Sequence, residues 1–379
     1  MNQRVSQLLD QGQSIWQDDI ARSMLTGGSL AAMIEDVGIR GVTSNPTIFE
    51  KAIAAGGDYD AQIAELLKGD ITTADVFEAL AVDDIRNACD VFRPIYDLSD
   101  GADGFVSIEV APDLARDGEG TREAARRLWK TIDRPNLMVK IPGTLEGAPI
   151  IKEMLAEGIN INVTLLFSID AYDRVANAYI EALEQRVAEG KPVDRIASVA
   201  SFFVSRVDTL VDRLLNEKIS EVEDPRDKKA LEELRGKAAV ANAKLAYAKF
   251  QEIFSGPRWD ALKAAGARPQ RPLWASTGTK NPDYPDTLYV DSLIGPHTVN
   301  TMPAKTIQAF MDHGTVKRTV DSDLDQAESF ILNLEAAGIS IDAVTTQLET
   351  EGIDSFVKSF ETLLEGVEGK RASLASAAD

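Results

Sequence analysis

Lys140 follows the apolar run Leu137, Met138 and Val139 and precedes Ile141. A lysine at the end of a buried strand is partly desolvated, which favours the neutral amine. A neutral primary amine can attack a ketone and form an imine, and the imine withdraws the electrons left when a neighbouring carbon–carbon bond breaks. The alternative is a strand-end lysine that snorkels to water. Glu109 closes the run VSIE one strand earlier. A carboxylate there can relay protons through water while an imine forms and hydrolyses, or can simply pair with Lys140. Asp18, next to Asp19, reads either as a base for a sugar hydroxyl or as the start of a helix.

Asn45, Asn162, Thr164 and Ser201 lie at or near the ends of apolar runs as well. They supply uncharged donors and acceptors suited to sugar hydroxyls, and each would equally serve a nearby turn. Arg206 and Lys280 are the cations best placed to hold a phosphate, with Ser276, Thr277 and Gly278 offering hydroxyl and backbone donors just before Lys280. Surface ion pairs are the competing explanation for both cations. His297 and His313 stand far from any second histidine or acidic pair at ligand spacing, so no metal is expected.

The 40 Lys and Arg against 61 Asp and Glu give a formal net charge of -21, a field that repels nucleic acid and anionic membrane surfaces. An anionic substrate must therefore meet a local cluster of cations. Cys89 is the only cysteine, which excludes an intramolecular disulfide and a cysteine-rich metal site. The first residues lack the basic start and apolar run of a secretory signal, and no stretch approaches a membrane span. A cytoplasmic protein without membrane association is expected, with monomer and homodimer both open.

These side chains need a frame that brings strand ends together. Apolar strand candidates recur at 14–19, 38–45, 104–110, 136–143, 161–168, 195–204, 271–277 and 287–293, separated by helix-period sequence. Eight is the number a closed parallel barrel needs, and such barrels carry their sites at the carboxyl ends of the strands. A doubly wound sheet would usually show a Gly-rich nucleotide turn after the first strand, and none follows SIWQDD. The segment 121–132 reads as a helix capped by Thr121, with Glu123 early and basic residues late. The expectation is one (β/α)8 domain over residues 1–379, with a charged helical insertion at 216–237 in the outer ring and a small, polar tail at 371–379 that frays.

Several segments together resemble the transaldolase family: GVTSNPTIFEKAI at 41–53, VSIEVAPDLARD at 106–117, NLMVKIPGT at 136–144, GININVTLLFS at 158–168 and ASFFVSRVDTLVD at 200–212. The resemblance runs from about residue 12 to about residue 335, in family order. It implies that Lys140 is the Schiff-base lysine, Asp18 the acid/base on the sugar C4 hydroxyl, and Glu109 with Thr164 the pair that handles the catalytic water. It also implies that Asn45, Asn162 and Ser201 bind the dihydroxyacetone portion and that Arg206 binds phosphate. Where many shorter members have an arginine, this chain has Lys280, which keeps the charge and loses the two-pronged grip.

The implied reaction moves a dihydroxyacetone unit from sedoheptulose 7-phosphate or fructose 6-phosphate to glyceraldehyde 3-phosphate or erythrose 4-phosphate, in the non-oxidative pentose phosphate pathway, with no cofactor. The rivals are a fructose 6-phosphate aldolase on the same scaffold and a barrel that binds sugar phosphate without catalysis.

Overall fold

A computed structural model describes residues 1–69 and 71–378, with side chains up to Leu374. Eight parallel strands close into a barrel in sequence order: β1 (Gln13–Gln17), β2 (Gly41–Val42), β3 (Phe105–Glu109), β4 (Leu137–Pro142), β5 (Ile161–Leu166), β6 (Ser198–Phe203), β7 (Arg271–Ala275) and β8 (Thr298–Met302). Closure comes from β1 against β8, where five residue pairs run from Gln13 with Thr298 to Gln17 with Met302. Helices surround this core, so the strands are buried on both faces and read as near-continuous apolar runs rather than alternating ones.

The eighth strand corrects the sequence reading. The apolar run 287–293 forms only a short helix, Leu288–Asp291, and the barrel closes with TVNTM instead. Short apolar runs suit a buried helical turn as well as a buried strand, while polar residues inside β8 hid it. Those polar groups are satisfied internally: Thr277 donates to Asn300 Oδ1 at 2.7 Å, and Gln13 Nε2 donates to Thr298 at 2.9 Å. Hydrogen bonding removes the desolvation penalty that makes such residues unusual in a core.

The helix expected from Thr121 begins earlier, at Gly118, and its cap is Asp117, which accepts from Gly120 N at 3.0 Å. Thr121 lies inside it and donates to Leu114 O. The chain leaves this helix through Asp133, at a left-handed φ of 52°. Residues 216–237 span the end of helix Ser205–Glu221, the exposed helix Pro225–Glu232 and a turn into helix Ala238–Ile253, whose alanines 238, 239, 241, 243 and 246 are buried. The tail expected to fray is helical through Ala378, while Asp379 lies outside the described residues.

Two local features shape the two ends of the barrel, the first at the amino end and the second at the carboxyl end. Trp16 crosses β2 so closely that a Cβ on Gly41 would stand 2.6 Å from its ring, and only glycine admits it. A register shift in β5 between Val163 and Leu166 places Leu165 at φ 59°. That bulge turns Leu165 toward the long C-terminal helix Ile341–Ala378, where a Cβ on Gly352 would come within 3.0 Å of it. Among the described residues no helix is long and apolar enough to cross a membrane.

Candidate active site

β3, β4, β5 and β6 are lateral neighbours, and their register sets the heart of the site. Glu109 pairs with Lys140, and Lys140 pairs with Asn162. Lys140 is 4% exposed, and its ammonium lies 3.2 Å from Glu109 Oε2 and donates to Ser44 O at 3.2 Å. Burial pushes the Glu109 carboxyl above its ordinary range, with the Lys140 charge opposing the shift. The ion pair read as one alternative for Glu109 is thus present, at a distance that leaves the proton-relay alternative open.

Neutral groups form a chain beside this pair. Ser201 Oγ donates to Asn162 Oδ1 at 2.7 Å, and Asn162 Nδ2 donates to Ser107 Oγ at 3.0 Å. Thr164 is fully buried, yet its hydroxyl has no hydrogen-bond partner among the described residues. Such an orphaned polar group is costly unless a water or a ligand meets it.

Asp18 follows β1 and is half-buried. Thr43 donates to Asp18 Oδ1 at 2.8 Å, so the 2.6 Å contact between Thr43 and Thr301 has the Thr301 hydroxyl as donor. Burial raises the Asp18 carboxyl, opposed by Lys140, by the Thr43 bond and by Lys280. Lys140, Asp18 and Glu109 therefore lie within one another's field at the same end of the barrel. Asn45 caps helix Pro46–Ala54, and its Oδ1 accepts from Ile48 N at 3.0 Å, which leaves its amide hydrogens as the groups able to face a ligand.

Arg206 enters on the first turn of helix Ser205–Glu221 and makes no ion pair with any described residue. Its guanidinium instead lies over two rings, Phe203 at 5.5 Å and Phe356 at 5.9 Å. Burial lowers its pKa. Ser276, at a left-handed φ of 55°, shares a 2.9 Å hydroxyl contact with Ser205 and so abuts that turn. Lys280 is set apart. It is exposed, beside Asp212, Arg213 and Asn216 on the outer flank of the same helix, and reaches the centre only through its field at Asp18.

Ser107, Thr43, Phe203 and Phe356 were not singled out from sequence. Ser107 had a signal, since it lies two residues before Glu109 on the same strand face. Thr43 precedes Ser44 and Asn45 in a run of strand-end polar residues. The two phenylalanines look like any core aromatics, and Phe356 lies beyond the segments that carry the resemblance. A side cavity of about 200 Å3 reaches Ser44, Asn45 and Glu109 and is bounded by Phe49, Phe77 and Phe360. A larger cleft of about 930 Å3, lined by Leu231, Val240, Lys244 and Phe330, lies in the outer ring and contains none of the candidate residues. No group of three or more metal-ligating side chains occurs among the described residues.

A closed parallel barrel with a buried lysine and carboxylates at its carboxyl end narrows the field without deciding it, because unrelated chemistries share this fold. The sequence profile of the Transaldolase/Fructose-6-phosphate aldolase family matches residues 15–367. The chain belongs to that family. Among relatives of the transaldolase/aldolase family, a transaldolase of Trichodesmium erythraeum is 50% identical over 361 residues, covering 95% of both chains. Another transaldolase, of Thermobifida fusca, is 50% identical over 377 residues, or 98% of this chain and all of the relative. A third, of Saccharopolyspora erythraea, is 50% identical over 367 residues and covers 97% of each. The family match extends past residue 335 into the C-terminal helix that carries Phe356.

Proposed function

We propose that the protein is a transaldolase, a cytoplasmic transferase that moves a dihydroxyacetone unit between sugar phosphates of the pentose phosphate pathway. The observation that carries this reading is the buried Lys140 amine, 3.2 Å from the carboxylate of Glu109. Lys140 gives up a proton and its nitrogen attacks C2 of the ketose. The resulting carbinolamine loses water with protons passed through Glu109 and Thr164, leaving a protonated imine. Asp18 takes the proton of the C4 hydroxyl, the C3–C4 bond breaks, and its electrons pass into the imine to give an enamine on Lys140. The aldose leaves, an acceptor aldehyde takes its place, and the steps reverse.

Supporting roles follow from the contacts. Asn162 and Ser201 present a fixed amide and hydroxyl to the dihydroxyacetone portion, with Asn45 adding its amide hydrogens. Arg206 is the cation for phosphate, since a guanidinium that forms no ion pair with a described carboxylate is free to take two phosphate oxygens. Ser276 supports that end, and Lys280 contributes at the rim. Lys140 is nearly inaccessible to bulk water, which favours transfer over release of free dihydroxyacetone.

Incubating the protein with fructose 6-phosphate tests this reading, with and without erythrose 4-phosphate. Sedoheptulose 7-phosphate and glyceraldehyde 3-phosphate should form only when the acceptor is present. Acceptor-independent release of dihydroxyacetone at a comparable rate would make the protein an aldolase, and substrate binding without turnover would make it a binding barrel.

A further inference from the structure

The helix Ile341–Ala378 follows the last strand and packs against helix Pro46–Ala54, helix Thr73–Leu98 and the end of β5. Its inward face is the row Ile353, Phe356, Phe360, Leu363 and Val367, spaced by three and four. Phe356 is 5% exposed. Its ring centre stands 5.9 Å from Lys140 Nζ and 5.9 Å from the Arg206 guanidinium, and 6.5 Å from the Phe203 ring. One ring therefore neighbours both the amine and the guanidinium, so these two charges lie no further apart than the sum of the two distances.

The helix holds this ring firmly in place. Gly352 lets the backbone approach Leu165 at the β5 bulge, Thr47 donates to Ser359 at 2.9 Å, and Lys370 pairs with Asp60 at 2.6 Å. A phenyl face attracts cations through its quadrupole and offers no proton of its own. It can thus orient both charges while keeping water from the carbon atoms next to the amine.

We infer that Phe356 is a specificity-determining residue, which shields the enamine on Lys140 from protonation and orients Arg206 for the acceptor's phosphate. This rests on the Schiff-base reading above. After C3–C4 cleavage the enamine carbon has two fates. It attacks the acceptor aldehyde, forming a carbon–carbon bond while the aldehyde oxygen takes a proton. Otherwise it takes a proton from water, the iminium carbon then adds the hydroxide, and the C–N bond breaks to release dihydroxyacetone and the free amine. The second fate consumes one water and transfers nothing. Covering the enamine carbon suppresses its first step and leaves the first fate open.

The test compares dihydroxyacetone release from fructose 6-phosphate without acceptor against transfer to erythrose 4-phosphate, in the wild-type protein, Phe356→Ala and Phe356→Leu. Borohydride labelling of Lys140 in each checks that the imine still forms. Phe356→Ala should raise the ratio of release to transfer by about tenfold or more. Phe356→Leu keeps an apolar cover without the quadrupole. Its ratio should stay within about twofold of wild type while KM for the phosphorylated acceptor rises by about threefold. An unchanged ratio in Phe356→Ala with Lys140 still labelled overturns the inference, as does an unchanged acceptor KM in Phe356→Leu. Absence of any labelled lysine in the wild-type protein would instead overturn the Schiff-base reading.

Discussion

In the proposed mechanism Lys140 and Glu109 are the reagents, and burial brings them together. Each would be well hydrated at a surface, but here they face each other at 3.2 Å with almost no access to water. The carboxylate, pushed upward by burial, is a stronger base than a free glutamate, which suits the proton transfer proposed between it and the amine. Asp18 is raised in the same way. In its proposed role as base for the C4 hydroxyl it must be ionised, so the acid limb of the kcat profile should fall above the ordinary aspartate value of about 3.9. Asp18→Asn should still form the borohydride-reducible imine while kcat drops by about 10²- to 10⁴-fold. Normal turnover in that variant would reduce Asp18 to a structural partner of Thr43. Arg206→Ala should raise KM for phosphorylated substrates by about tenfold or more, with a far smaller effect on any unphosphorylated ketose that reacts. Equal losses with both donors would argue against a phosphate role. These polar residues were legible in the sequence because each interrupts or ends an apolar run. The rings that lie against Arg206 were not, since nothing local separates a phenylalanine at a site from one in the core.

At the scale of elements, seven of the eight strands were readable as apolar runs, since strands flanked by helices are buried on both faces and show no polar alternation. β8 escaped because Thr298 and Asn300 are tolerated inside by hydrogen bonds to residues remote in sequence, Gln13 for one and Thr277 for the other. The run mistaken for it, 287–293, is apolar for another reason: it buries Tyr289 and Val290, and Tyr289 reaches helix Ser205–Glu221. There the Tyr289 hydroxyl donates to Asp208 Oδ2 at 2.8 Å, and Ala239 N donates to Oδ1 at 2.8 Å. Burial raises the Asp208 pKa to about 6 despite these bonds. A carboxyl raised in the folded state binds its proton more tightly there than in the unfolded chain. Its stabilising contribution is therefore complete below about pH 4 and is lost as pH rises through about 6, on the order of 2–3 kcal/mol. Asp208→Asn can keep both contacts, accepting from Ala239 N and donating to the tyrosine oxygen. Its Tm should exceed that of wild type at pH 8 by more than at pH 4.5, whereas a constant difference between the two would contradict the buried-charge explanation.

Across the whole molecule, a net charge of -21 surrounds the site proposed to receive phosphate, so binding there would depend on a few cations near the barrel mouth rather than on the general field. The two barrel ends divide the work. At the amino end, Asp103 joins Ser14, Trp16 and Arg271 in a closed network, while at the carboxyl end Arg206 has no ion-pair partner and Thr164 no hydrogen-bond partner among the described residues. The barrel could be read from apolar runs in sequence order, and the polar residues that gather at its carboxyl end from the ends of those runs. The covering helix Ile341–Ala378 could not, because its contribution depends on crossing the mouth and not on any local motif. The central claim is covalent and can be met directly. Borohydride added with fructose 6-phosphate should inactivate the protein and leave the mass of a reduced dihydroxyacetone adduct on the peptide containing Lys140. Lys140→Arg, which keeps the charge and cannot form an imine, should fold, take no label and lose activity by several orders of magnitude. Label on Lys130 or Lys152 instead, or full activity in Lys140→Arg, would contradict the mechanism even with the barrel intact.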